Sequence, residues 1–417
     1  MNLSFSSGWI RIVFTLLISM SLCSLWAQPI TPGRWRFELK RSGGIPVYVQ
    51  AELKQQRGVW AITLLNDQER ITLQDLRWVG DSLYARFPVF EASWAFKRWN
   101  ASLWTGKLIK GIGSSAQIWE VTANPSEQRV PIAVGKPSVK LSGKWAIRFQ
   151  RSDSSWRPAI GQFKQQGSKL TGTMLTPAGD YRFLEGRVWK DSFYLSAVDG
   201  AHVYAFRGRV VGDTALEGAR FFAGQAPGER MEGRWDPQTA LPEQAPVTEL
   251  KPGESTLSFQ FPDLDSQLVR FPSERYQGKV VVLQLMGSWC PNCMDETEFL
   301  SRFYNEQAAE KTVDVIALAY EVSTDFQRSA ASIKRFQQRF DVQYPMLVTG
   351  VRVGDPEKAA KTLPSLTDIR YFPTTIFIGK DGRIRRIHAG FYGPGAAQEH
   401  ADYKKDFYNT IRTLMAE

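Results

Sequence analysis

Cysteine and histidine are scarce in this chain, with three of each in 417 residues. So few thiols exclude a disulfide-framework protein. The three histidines stand apart from one another, and no Cys or acidic cluster has the spacing of metal ligands, so no metal site and no cofactor site can be read. Collagen-like and disordered chains are excluded too, because 43% hydrophobic and 23% charged residues are values of ordinary globular protein. Charge of one sign never gathers into a run. The formal net charge of +10 is spread over strand-like segments, which gives nucleic acid little to bind. Long apolar runs are missing except at the extreme N-terminus, which excludes a polytopic membrane protein.

That one run, from Ile12 to Ala27, follows a segment whose single basic side chain is Arg11 and gives way to Gln28-Pro29. This is the layout of a secretory signal peptide over residues 1–27, cleaved after Ala27. The expected location is the periplasm or another exported compartment, with no integral membrane span after processing. An uncleaved anchor is the alternative, disfavoured because the run is shorter than the ~20 residues a span prefers. Cys23 is not read as a lipidation site, since bulky Leu22 precedes it. Removing the segment leaves two cysteines, Cys290 and Cys293.

What the chain does have is a repeat. Gly33-Arg-Trp aligns with Gly143-Lys-Trp, Leu53-Lys-Gln-Gln with Phe163-Lys-Gln-Gln, and Asp81-Ser-Leu-Tyr with Asp191-Ser-Phe-Tyr, always 110 residues apart. Two copies of one β-rich unit follow, assigned to residues 28–138 and 139–236. Alternating segments such as RWRFELK and SLYARF, separated by Gly, Asn-Asp and Asp-Ser turns, read as short antiparallel strands, roughly eight per copy. The layout resembles small up-and-down barrels of the lipocalin or avidin kind, with a β-sandwich as the alternative. Eleven of the fourteen Trp fall between residues 28 and 245. Core and barrel-plug packing is the favoured role for them, over an aromatic binding surface. No catalytic constellation is found in this half, and the Pro-rich stretch at 237–253 reads as a linker.

In the last third, at 254–417, Val280 to Met286 is a continuous apolar strand of the kind buried in an α/β sheet, and a helical pattern starts after it. Cys290 therefore sits at a strand-to-helix turn, where free N–H groups and the positive helix end stabilise a thiolate. Pro291, which has no N–H, suits the first helical position. A second strand is expected at Thr312 to Tyr320 and a helix at Phe326 to Phe340. A hairpin of Thr374 to Ile378 with Arg383 to Ile387 and a last helix at Gln398 to Ala416 complete the pattern.

The order of these elements is that of the thioredoxin fold. Gly287-Ser-Trp-Cys-Pro-Asn-Cys, Glu296, Pro373 and the lead-in FPDLDSQLVRF together resemble the TlpA/ResA-like thiol-disulfide oxidoreductases. The expected architecture is thus multidomain: two antiparallel β-barrel-like repeats, then an α/β thioredoxin-like domain. The resemblance implies protein thiol or disulfide substrates, an electron-donor protein and reduction of client disulfides. Cys290 is the attacking sulfur and Cys293 the resolving one. Glu296 exchanges a proton with Cys293, its competing reading being a solvated charge beside Asp295 and Glu298. Pro373 is implied to follow a cis peptide beside the sulfurs, with Trp289 and Phe372 shielding them. Gln284 departs from thioredoxins proper, which carry a buried acid there. His202, His388 and His400 are read as structural or solvated.

Three other functions compete. A structural disulfide is disfavoured because so short a loop restrains the unfolded chain little. A thiol peroxidase would need Pro and Thr before the reactive Cys, where Gly287-Ser288-Trp289 stands. A ligand-binding or cell-envelope interaction protein would use the repeats and keep the redox domain subordinate.

Overall fold

The computed structural model describes residues 30–111, 116–131, 135–242, 248–307 and 312–417. The expected signal peptide, with Arg11 and Cys23, lies outside the described residues.

Each copy of the repeat folds into a curled sheet of nine strands, one more than expected. In the first, Gly33–Leu39 pairs on one side with Val47–Gln56 and on the other with Gln117–Pro125. The ring is open between Glu69–Thr72 and Gln74–Val79, giving a nearly closed barrel. The second closes. Trp156–Gln166 pairs with both Gly143–Gln150 and Lys169–Thr176, and Gly143–Gln150 pairs onward with Glu229–Trp235. Closure, not a sandwich, removes the open sheet edges.

The Gly-x-Trp opening explains why both copies start alike. Gly33 and Gly143 hold φ of +115° and +112°, a backbone region that only glycine enters without strain. The chain turns there and drops the next Trp inward. Trp35 lies opposite Ala51 and Pro125, and Trp145 opposite Gly161 and Trp235. Each indole N–H donates to the carbonyl four residues earlier, Trp35 to Thr31 at 2.8 Å and Trp145 to Leu141 at 3.0 Å. With Trp94, Trp104 and Trp119 also buried, most of the aromatic load here is core, while Trp99 and Trp235 remain exposed.

The third domain is a five-stranded sheet in the order Met346–Val348, Val313–Ala319, Val280–Met286, Thr374–Ile378, Ile384–Ala389. The first three are mutually parallel and the last two antiparallel to their neighbours. Val280–Met286 and Val313–Ala319 are buried at every position, as strands covered on both faces must be. The helices are α1 (Pro291–Gln307), α2 (Phe326–Phe340), α3 (Lys358–Thr362) and α4 (Ala397–Ala416). Helix α2 begins where Asp325 accepts the Arg328 N–H at 2.7 Å, and ends at Asp341 in the left-handed region. The lead-in forms the hairpin Phe259–Pro262 with Leu268–Phe271. Ahead of it, Leu250 bridges Leu366, so part of the stretch read as linker lies along this domain.

Buried polar contacts lock the three units together. Arg129, between the barrels, donates to the Leu65 carbonyl (2.7 Å), Asn66 Oδ1 (3.1 Å) and the Ser196 carbonyl (3.0 Å), with Glu185 3.7 Å away. Glu91 of the first barrel accepts from Arg328 and Ser332 of α2, both at 3.0 Å. Removing the Arg129 guanidinium leaves these acceptors buried and unpaired, so Arg129→Met is expected to cost about 3 kcal/mol. The check is the midpoint of the tryptophan-fluorescence unfolding transition in denaturant; an unchanged midpoint contradicts the bolt.

Candidate redox site

The site grows out of the end of the central strand. After Met286 the chain turns through Gly287–Trp289, the Cys290 N–H donates to the Gly287 carbonyl at 3.1 Å, and the Met294 N–H makes the first helical bond to the Cys290 carbonyl at 3.0 Å. The N–H of Cys293 points at Cys290 Sγ from 3.2 Å. A sulfur thus occupies the place where a side-chain acceptor usually caps a helix. Negative charge on that sulfur is favoured by the N–H and by the helix dipole. Cys290 and Cys293 are disulfide-bonded with their Cα atoms 5.2 Å apart. Cys290 Sγ lies 3.5 Å from the Phe372 carbonyl oxygen, and the Phe372–Pro373 peptide is cis. Trp289 donates its indole N–H to the Tyr320 carbonyl at 2.8 Å and packs edge-on to Phe372.

Glu296, one turn beyond Cys293, is fully buried, which overturns its reading as a solvated charge. That flank of α1 faces the sheet. Its carboxylate accepts from Thr375 Oγ1 (2.6 Å), Gln284 Nε2 (2.8 Å) and the Tyr403 hydroxyl (2.9 Å). Burial pushes its pKa above the ordinary carboxylate value, and the three hydrogen bonds offset part of that rise. Gln284 explains itself here. An acid at that strand position would face a second carboxylate, whereas the amide supplies a donor.

The three histidines do not join the site. His202 is paired with Asp199 and His400 with the Tyr392 carbonyl. His388 packs its ring against Tyr403. Among the described residues, no His, Cys, Asp or Glu cluster could hold a metal ion.

Several contacts at the site had no counterpart in the sequence reading. Glu321 is buried and accepts from both the N–H and the hydroxyl of Ser288 at 2.7 Å, fixing the turn that carries Cys290. A loop of the second barrel also covers the start of α1. Asn292 donates its amide N–H to the Ala178 carbonyl at 3.4 Å, Gly179 bridges Phe391, and Asp180 accepts the Gly393 N–H at 2.7 Å. Cys290 itself is only 5% exposed, although a nucleophile at a helix start is expected to meet solvent. Below this loop Arg182 pairs with Asp295 of α1 and with Glu69 of the first barrel. Burial alone would lower the Arg182 pKa, but Asp295 and Glu69 more than reverse this and hold it well above its ordinary value. Burial likewise pushes Asp295 up, to about 7. The partners lie more than a hundred residues apart, and the one trace in the sequence is Asp295 itself, a second acid on a helix that must bury a face.

A cysteine pair at a strand-to-helix turn, beside a cis-proline loop on a sheet of this order, defines a thioredoxin-like domain. Residues 251–406 match the Redoxin family model, so this part of the chain is a Redoxin domain. The thiol-disulfide oxidoreductase ResA of Halalkalibacterium halodurans is 26% identical over 138 residues, which cover 33% of this chain and 68% of that protein. ResA of Bacillus thuringiensis subsp. konkukian is 26% identical over 132 residues, covering 32% of this chain and 66% of the relative. A solved thiol:disulfide interchange protein of Chlorobium tepidum TLS is 17% identical with a TM-score of 0.30, over 40% of this chain and 99% of that one. Both barrels lie outside residues 251–406.

His388 gives the domain a definite acid response. Burial, aided by the Arg386 charge, lowers its pKa from 6.5 to about 4. Between those values the unfolded chain binds more protons than the folded one. The contribution is therefore complete above pH 6.5 and lost as pH falls toward 4, by roughly 2 to 3 kcal/mol. Denaturant unfolding of His388→Gln across this range is expected to show a shallower pH slope than the unaltered protein; parallel slopes contradict the assignment.

Proposed function

We propose that the chain is an exported thiol-disulfide oxidoreductase that reduces disulfides in client proteins. The observation that carries this reading is the sulfur of Cys290 at the cap of α1, receiving the Cys293 N–H, with its partner sulfur wholly buried behind it. In the reduced state the Cys290 thiolate attacks a client disulfide, forms a mixed disulfide and releases one client thiolate. Cys293, deprotonated, then attacks Cys290 Sγ, which forms the intramolecular disulfide and expels the second client thiolate. Two electrons pass to the client, and a dithiol electron-donor protein restores the pair.

The other site residues take supporting roles. Glu296 lies one helical turn past Cys293, and its raised pKa suits a group that both takes and returns a proton. The Phe372 carbonyl beside Cys290 and the Pro373 that follows orient client backbone at the sulfur. Trp289 and Phe372 keep water from the disulfide. No helix among the described residues is long and apolar enough to cross a membrane.

Cys290→Ser is expected to abolish disulfide exchange, whereas Cys293→Ser retains mixed disulfides with partners, visible on nonreducing electrophoresis. Adducts on Cys290→Ser instead would reverse the assignment, and none on either variant would remove it. Glu296→Gln is expected to keep the fold, because the Thr375 and Tyr403 hydroxyls can turn to accept from an amide. It should slow exchange by about 100-fold at neutral pH. An unchanged rate and pH profile would exclude the proton-exchange role.

A further inference from the structure

The barrels do more than surround the redox domain. The residues that follow Cys290 are covered, since Asn292 is bonded to Ala178 and the Ala178–Gly179 segment runs beside Phe391. The residues that precede it are not. Ser288 and Trp289 line a cleft of about 360 Å³, walled on the redox side by Val322 and on the barrel side by Phe90, Gln117 and Ala201. Its volume is within the range of ligand-binding clefts, roughly 300 to 1,000 Å³. Two of its acids are already engaged, Glu91 by Arg328 and Ser332 and Glu321 by Ser288. What is left along the wall is the apolar surface of Phe90, Ala201 and Val322, the cations Lys110 and Arg352, and an amide and a hydroxyl, Gln117 and Ser323, that can meet a backbone. Val322 is 44% exposed, and Gln117 is exposed as well.

We infer that this three-domain cleft is the client site, and that it takes an extended peptide segment flanking the client's disulfide, not the surface of a folded protein. The inference rests on the oxidoreductase reading and adds a specificity role for the barrels. A folded partner cannot readily bring its disulfide to a sulfur that is 5% exposed, at a helix start bonded to a loop of the second barrel. A single strand lying between Phe90 and Val322 can, with its side chains on Trp289 and Ala201 and its backbone polar groups toward Gln117 and Ser323.

The test compares full-length protein on three oxidised substrates: dipyridyl disulfide, an unstructured peptide with one internal disulfide, and a folded protein with an exposed disulfide. The peptide is expected to react about tenfold faster than the folded protein, and Gln117→Trp or Val322→Trp, which fill the cleft, should lower the ratio of peptide to dipyridyl disulfide rates by about tenfold. Equal peptide and folded-protein rates, or a ratio unmoved by both variants, would overturn the inference while leaving the oxidoreductase reading intact. No exchange with any of the three substrates would instead remove the oxidoreductase reading. As a check independent of rates, the peptide can carry a photoreactive group two residues from its cysteine and be trapped on Cys293→Ser. Cross-links are expected at residues 90–91, 117 or 200–201 of the barrels, and cross-links confined to residues 288–417 would contradict the cleft.

Discussion

A guanidinium taken out of water must be neutralised where it sits, and Arg182 is neutralised by carboxylates from two other domains. Glu69 comes from the first barrel and Asp295 from the redox helix, two residues past Cys293. None of these charges is tolerable alone in the junction, so the three units share one arrangement. That arrangement sets the loop 177–180 over Asn292 and leaves the approach through Ser288 and Trp289. The chemistry at Cys290 belongs to the turn and the helix. The residues just past it, Asn292 and Asp295, are held by the second barrel.

The thiol pair and its acid follow from a different constraint, the economy of buried polar groups. Strand Val280–Met286 carries one polar side chain, Gln284, and α1 presents Glu296 to it; Thr375 and Tyr403 complete the carboxylate's hydrogen bonds. Buried, with its hydrogen bonds supplied by neutral donors, the carboxylate keeps a raised pKa. An arginine at any of these positions would favour the ionised form and pull that pKa back down.

Much of this was legible from residue order. The 110-residue repeat is strand-for-strand real, down to the paired indoles of Trp35 and Trp145, because positive-φ glycine followed by a plug tryptophan is a local device. Helix α2 runs from Phe326 to Phe340 as its periodicity predicts, since Asp325 caps it locally. The strand expected at Arg383 to Ile387 is instead Ile384–Ala389, carried past the apolar pattern by pairing with Thr374–Ile378. What could not be read was long-range. The carboxylate of Glu296 is bonded by Tyr403, and the start of its helix is held by Ala178 at Asn292 and by Arg182 at Asp295, which no spacing relates to the cysteines.

The central claim is that Cys290 and Cys293 form an exchanging couple and not a structural staple, and the redox potential of the full-length chain tests it most directly. Equilibrated against dithiol buffers of graded potential and quenched by alkylation, the pair is expected to titrate as one two-electron step between about −270 and −120 mV. A disulfide that stays oxidised below about −300 mV, where structural bridges lie, would contradict the account.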